Sequence, residues 1–460
     1  MINFEERYEE LLADVQSLLD AHKHAAARAV LVELEPADIA LLFDGLQGES
    51  IPLLFRLLPK ELAAEVFVEL ESDAQELLIH GFSNIELKEM LDELYLDDAV
   101  DIIEEMPAGV VKRILKSADA ETRRSINEML KYPEDSAGAY MTTEFVDLKK
   151  DMTADGALAR IRRDGTDKET INVCYVTDAA RRLIGTVSLR TLLLAAPEQT
   201  IGELMHPNVI AVTTLTDKEE AAQTLSRYDF IALPVVDTEN RLVGIITVDD
   251  AIDVLEAEVT EDIEIMAAMT PTDKPYLKTG VLETFRSRIL WLLILMVSAT
   301  FTGQIIARFE NALATFTVLT AYIPMLMNTG GNCGSQSSVT VIRGLSLDEI
   351  EFSDLARVVW KEIRVAVLCG IVLAAANFVK LMLLDRLVFG NPITAPVAAV
   401  ICLTLAVTVL ASKVIGCSLP LLAKKLGFDP TVMASPFITT LVDAISLLIY
   451  FRFASMLLGI

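Results

Sequence analysis

The chain has 460 residues, 52% of them hydrophobic, with 66 acidic against 39 basic side chains and a formal net charge of −27. It is too long for one small domain and too apolar for an ordinary soluble protein; its acidity argues against nucleic acid or an anionic membrane surface as partner of the soluble part and favours a cation. The two properties separate along the chain: residues 1–284 hold 57 acidic and 26 basic residues, net −31, whereas residues 285–460 hold 9 and 13, net +4, so an acidic soluble part precedes a membrane part.

The N-terminus, Met1 to Val15, is acidic and lacks the basic start and apolar run of a signal peptide, which places the soluble part in the cytoplasm. From Glu5 to about Leu130 apolar residues recur three and four apart without strand alternation, predicting short helices throughout. Ala37 to Leu46 aligns loosely with Asp97 to Met106, and Ala64 to Leu70 falls between them. A repeat of roughly 30 residues suggests an all-α superhelical N-domain over 1–134. Within it Asp92, Glu93, Asp97, Asp98 and Asp101 form an acidic run, which is either a solvated helix face or one side of a cation site.

Tyr132 to Gly138 breaks the helical pattern, and a tandem repeat follows. Met141 to Val146 opens one copy and Met205 to Ile210 the other. Each continues through an amphipathic helix (Ala154 to Ile161; Lys218 to Arg227) and two strands around a polar turn (Asn172 to Val176 with Leu183 to Ser188; Ala232 to Val236 with Leu242 to Thr247). Each closes on a helix, at Leu189 to Ala195 and Val248 to Glu256. This α+β order resembles a tandem pair of cystathionine-β-synthase (CBS) motifs, at 135–200 and 201–258. Leu233 to Asp237 and Leu242 to Asp250 carry the closer match, and Arg162 to Thr170 is an insertion in the first copy. The resemblance implies an adenine nucleotide such as ATP, with its ribose on Thr247 and Asp250 of a Gly-x-x-Thr-x-x-Asp motif. The first copy offers Thr186 and Ser188 but no Asp in register. A pair serving only as a dimerising spacer is the alternative.

After the second copy, Asp249, Asp250, Asp253, Glu256, Glu258, Glu261 and Asp262 crowd within a few helical turns. Such carboxylates repel one another unless a counterion sits among them, and a hard cation such as Mg²⁺ is held by oxygens with waters retained. If this patch faces Asp97 and Asp98, divalent ions would bridge the two. Residues 259–285, interrupted at Pro271 and Pro275, then form a connecting helix to the membrane part.

The remainder, 286–460, predicts a transmembrane domain of five helices: about Ile289 to Ala307, Thr315 to Ile342, Val358 to Leu384, Pro396 to Leu422 and Pro430 to Leu458. With the soluble part inside, Arg286, Arg288, Arg343, Arg357, Lys361, Arg364, Lys424 and Lys425 are cytoplasmic, against Arg308, Lys380 and Arg386 outside, as the positive-inside rule expects. The five cysteines form no Cys-x-x-Cys pair and count as small hydrophobes.

Asp443 lies in the middle of the last span. A carboxylate at bilayer depth is costly and marks an ion path or a charge pair, the one cation deep in another span being Lys413. Thr439, Thr440 and Ser446 share its helix face. In the second span Asn328, Asn332 and Gln336 form a polar stripe, while Gly330, Gly331 and Gly334 permit close helix packing. Thr404, Thr408 and Ser412 repeat the spacing in the fourth span, and together these stripes predict the walls of a pore.

Pro324 to Gly344, followed by Leu345 to Ile350, and Pro436 to Asp443 resemble the signature of the MgtE family of Mg²⁺ channels, and the domain order resembles that family over essentially the whole chain. The resemblance implies a homodimer in the inner (cytoplasmic) membrane with the ion path on its two-fold axis. It implies selectivity for Mg²⁺, closure by cytoplasmic Mg²⁺ bound among the acidic domains, and Asp443 as the pore carboxylate. Two rival readings stay open: a proton- or Na⁺-coupled divalent-cation carrier, and a membrane-anchored receptor without transport. An enzyme is disfavoured, because His22, His24, His80 and His206 stand in no catalytic or P-loop pattern.

Overall fold

The computed structural model describes residues 4–46, 50–272, 276–277, 279–309 and 317–458. They divide into two units, Met1–Leu255 and Glu256–Ile460.

The first unit begins with ten helices between Phe4 and Met129. Each is short and one-sided. In Leu96–Glu105 the apolar Leu96, Ala99, Val100, Ile102 and Ile103 are buried, while Asp101, Glu104 and Glu105 are exposed. Alternate helices stack: Pro36–Asp44 on Lys60–Val68, that on Asn84–Leu91, and that on Ala108–Ser117. A continuous apolar core results, with Phe43, Leu54, Phe67, Leu78 and Leu87 fully enclosed.

Two three-stranded sheets follow. In one, β1 (Asp147–Lys149) runs parallel to β2 (Val173–Thr177), which pairs antiparallel with β3 (Leu183–Ser188). In the other, β4 (Val212–Thr213), β5 (Ala232–Val236) and β6 (Leu242–Thr247) repeat the arrangement. The copies interlock through their leading segments: Thr142 bridges to Ile245 of β6, and His206 to Thr186 of β3. Gly185 and Gly244 occupy equivalent places, where a Cβ would strike Met205 and Met141 respectively. The insertion in the first copy lengthens its first helix to Asp164 and adds a 3-10 turn, Gly165–Asp167.

The closing helix of the second copy does not stop near Glu256 but runs from Val248 to Met266. The chain then turns through Ala268 (φ +56°), and the Thr270 amide donates to the Ser287 carbonyl at 2.8 Å. The next helix, Val281–Arg308, already includes Phe285. Residues 259–285 are therefore the end of one helix, a linker and the start of another. Pro271 lies in that linker, and Pro275 falls outside the described residues.

Among the described residues of the second unit, four segments are long and apolar enough to cross a membrane: Val281–Arg308, Phe352–Val388, Ala395–Leu426 and Pro430–Leu458. A further long helix, Ile323–Ser346, is richer in Gly and Asn; Thr315, the expected start of that span, lies outside the described residues. Ala395–Leu426 is the centre of the bundle, packed against Ile323–Ser346, Leu355–Lys380 and Ser435–Leu458. The closest approach uses glycine: a Cβ on Gly416 would run into the Gly334 carbonyl, and one on Gly330 would meet Thr408, Ser446 and Val442.

Candidate functional site

The first unit contains a cleft of about 790 Å³ between the helical repeat and the tandem sheets. Its lining includes Asp97, Asp98, Asp249 and Asp250, the two acidic patches that the sequence leaves far apart, together with Glu61, Glu65, Glu69, Asp92, Glu93, Glu144, Asp167 and Glu169, and no basic residue. Asp97 is only 7% exposed, and its Oδ1 has no hydrogen-bond partner among the described residues; Glu169 Oε2 is likewise buried without one among them. Burial, followed by the facing charges of Asp250 and Asp98, holds the Asp97 carboxyl well above its ordinary range. The same causes push Glu169 up to about 7, and burial with Asp250 and Asp249 pushes Asp98 up to about 6. Buried anionic oxygens without donors fit a hard cation. Among the described residues no three His, Cys, Asp or Glu side chains converge as ligands of one bare ion.

The sign of the pH effect follows. A carboxyl whose folded pKa is raised binds more protons folded than unfolded, so its stabilising contribution is complete below about 4 and disappears as pH climbs through 6–7. The chelator-treated protein is expected to melt several degrees lower at about pH 8 than at about pH 5, with added Mg²⁺ closing the gap. Thermal melts across that range check this, and a flat midpoint would refute the crowding.

Not every predicted acidic residue joins the cleft. Asp101 and Asp253 lie outside its lining, yet both are coupled to it: the charge of Asp253 reaches Asp250, and desolvation followed by the charges of Asp250 and Asp98 pushes the Asp101 carboxyl up to about 7. In the second unit Glu256 is exposed, whereas Glu258, Glu261 and Asp262 form a separate acidic group. Burial, then Asp429, then Glu258 and Glu261, push Asp262 up to about 6. Asp429, in the turn before the last helix, is absent from the sequence prediction, as are Glu144, Asp167 and Glu169. The one sequence signal for the last two is the insertion that carries them.

Thr247 and Asp250 are joined by a short hydrogen bond from Thr247 Oγ1 to the carboxylate, at the start of the Val248–Met266 helix. Asp250 also lines the acidic cleft. It therefore has a helix-capping role apart from any ligand.

In the membrane unit, Ile323–Ser346 has two faces. Gly330, Gly331, Gly334, Ser337 and Ser338 are buried; Asn328, Asn332 and Gln336 are exposed on the other side. Ser435–Leu458 packs antiparallel to it. Ser338 Oγ donates to the Met433 carbonyl at 2.7 Å, Gly334 meets Ile438 and Val442, and Gly331 meets Thr439. Gly330 lies against Val442 and Ser446, so that register brings Asp443 near the level of Gly330, between Asn328 and Asn332. Asp443 is half-buried, and no hydrogen bond or ion pair reaches it among the described residues. Lys413 is not its partner: its Nζ lies 3.5 Å from Glu362 Oε2 and 3.2 Å from Ser337 Oγ.

Thr439 and Thr440 each donate their hydroxyl proton to the Pro436 carbonyl, at 3.0 and 2.9 Å, leaving lone pairs to accept from water. The Asn332 amide donates to Asn328 Oδ1 at 3.4 Å. Thr404, Thr408 and Ser412 are buried, with Thr408 against Gly330, so this stripe packs helices and does not line a path within the protomer.

A family model described as a divalent cation transporter, MgtE, matches residues 323–453. The MgtE intracellular N domain matches 34–135 and the CBS domain 201–257. The chain is 39% identical over 455 residues to the magnesium transporter MgtE of Thermus thermophilus, covering 98% of this chain and 99% of the relative. It is 32% identical over 448 residues to the magnesium transporter MgtE of Bacillus subtilis, covering 97% of each. The crystal structure of the cytosolic domain of the Mg²⁺ channel MgtE in complex with ATP is 40% identical, with a TM-score of 0.51, and covers 53% of this chain and 99% of that one.

Proposed function

The chain belongs to the MgtE family of magnesium transporters, and from that premise we propose that it is an Mg²⁺-selective channel for uptake across the inner membrane, closed by Mg²⁺ on its cytoplasmic face. In this reading two copies form a homodimer with five spans each. The fifth is Ile323–Ser346, whose 24 residues reach about 36 Å at 1.5 Å per residue. The observation that carries the proposal is Asp443, a carboxylate in an apolar helix that no partner reaches among the described residues, at the level of an exposed amide stripe.

Mg²⁺ dehydrates reluctantly and is held through one or two carboxylates with several waters kept. Asp443 from each protomer supplies the charge. Asn328 and Asn332 amide oxygens and the lone pairs of Thr439 and Thr440 accept hydrogen bonds from the retained waters. A monovalent ion gains less from the same two charges.

Closure follows from the acidic cleft. Hydrated Mg²⁺ neutralises the carboxylates of the helical repeat and the CBS pair, drawing the two together; when Mg²⁺ falls, repulsion separates them. The Val248–Met266 helix starts in the first unit and ends in the second, which makes it the carrier of that change. Twelve carboxylates repel a bare polyphosphate, so ATP, as in the related crystal structure, enters as its Mg²⁺ complex with ribose at Thr247 and Asp250 and acts as a regulator.

Recording from purified protein in a patched bilayer tests the proposal. Unitary Mg²⁺ currents that decline as cytoplasmic Mg²⁺ is raised are expected, with the declining range shifted when ATP is added to that face. Uptake that is proton- or Na⁺-dependent, with no unitary current, would favour the carrier reading.

A further inference from the structure

Lys413 and Glu362 are ionisable residues inside the membrane unit that the transport reading leaves unused. Lys413 is 5% exposed, and the Glu362 side chain is 13% exposed. Ser337 Oγ donates to Glu362 Oε2 at 2.6 Å and accepts from Lys413 Nζ at 3.2 Å, and the two charges lie 3.5 Å apart. The triad joins three helices, Ile323–Ser346, Leu355–Lys380 and Ala395–Leu426.

Its place on the first of these matters. Ser337 is on the buried face, and its neighbour Gln336 continues the exposed stripe of Asn328 and Asn332. Successive helical residues point about 100° apart, so fixing Ser337 fixes where the amides face. On the same buried face the bond from Ser338 to the Met433 carbonyl ties the helix to the turn before the last helix. The glycine contacts with Thr439, Ile438, Val442 and Thr408 allow close approach but carry no directional bond, so on this face the triad fixes the helix against Leu355–Lys380 and Ala395–Leu426. A charge pair in a water-excluded site is directional, and removing one member leaves the other uncompensated.

We infer that Lys413, Glu362 and Ser337 are positioning residues for ion permeation, a buried charge clamp that sets the rotation and register of the amide-bearing helix. The inference rests on the reading that ions pass Asn328 and Asn332, and it gives Lys413 a role apart from Asp443.

Single and paired substitutions give different outcomes. Lys413→Met leaves the Glu362 carboxylate facing Ser337 without its cation, and Glu362→Gln leaves the Lys413 ammonium facing Ser337 without its anion. Each single variant should lower Mg²⁺ uptake about tenfold, and the double variant Lys413→Met/Glu362→Gln, which strands neither charge, should recover most of that loss. Uptake is measured in vesicles per amount of full-length protein eluting as a folded species, with Asp443→Asn in parallel.

Wild-type rates in the single variants, or a double variant no faster than either single one, would overturn the clamp. If either charge variant fails to fold, Ser337→Ala keeps both charges and decides the matter: a loss of about threefold in uptake supports the clamp, and unchanged uptake refutes it. Asp443→Asn that still transports, alongside recovery of uptake in the double clamp variant, would sink the path through Asp443 and leave the clamp standing.

Discussion

Asp443→Asn is expected to cut Mg²⁺ uptake by at least about a hundredfold while leaving the protein as stable as before. The substitution keeps the side chain's shape and removes one charge from each protomer. At tenfold per 1.4 kcal/mol, a loss of about 3 kcal/mol of ion stabilisation gives that factor. The stability half of the prediction comes from the environment of the carboxylate. Asp443 has neither donor nor cation to lose among the described residues, and Lys413 is engaged by Glu362. A structural ion pair would behave the other way, because breaking it strands the partner and destabilises the fold. Uptake in a strain without other Mg²⁺ importers, together with a thermal melt of the purified variant, separates the two. Retained uptake would dismiss Asp443 as the pore group, and a large fall in melting temperature would make it structural.

Asp443 was legible because charge in an apolar span is rare enough to stand out without a structure. Its surroundings were less so. Helical spacing marks Asn328, Asn332, Thr404, Thr408 and Ser412 alike as polar stripes, but it does not say which stripe meets a neighbouring helix. Gly330 opposite Thr408 and Gly334 opposite Gly416 turn one of them inward, and the Asn stripe is left outward by the same packing. Lys413 was the natural partner for Asp443 on depth alone. Glu362 competes for it from a helix end rich in exposed cations, where an acidic residue attracts no notice in the sequence.

The acidic runs at Asp97–Asp98 and Asp249–Asp250 were visible as charge density, and the structure brings them to one cleft. Glu144 was not visible, because it is an isolated acid in a loop and only the fold carries it there; Asp167 and Glu169 were marked only by the insertion that holds them. The long Val248–Met266 helix was cut short in the sequence reading because the CBS pattern ends near Glu256 while the helical periodicity does not.

Neutralising the cleft should raise the cytoplasmic Mg²⁺ needed to inhibit uptake by at least about tenfold, within the usual range of coupling between sites. Alanine at Asp97, Asp98, Asp249 and Asp250 removes oxygen ligands and charge at once, and these two losses act in opposite senses. Less repulsion favours closure without Mg²⁺, whereas fewer ligands weaken the bridge that closure needs. The ligands should dominate. Asp97 Oδ1 and Glu169 Oε2 are buried without donors, so closing the cleft leaves them uncompensated unless a cation is present. A fixed cation separates the two effects. Glu169→Lys places an ammonium among Asp98, Asp249 and Asp250, the charges that raise the Glu169 carboxyl. It should hold uptake low even when internal Mg²⁺ is depleted, the opposite of the alanine variant. Mg²⁺ dose–response curves for both would decide it. If both variants were inhibited at the wild-type Mg²⁺ concentration, the cleft would not be the sensor.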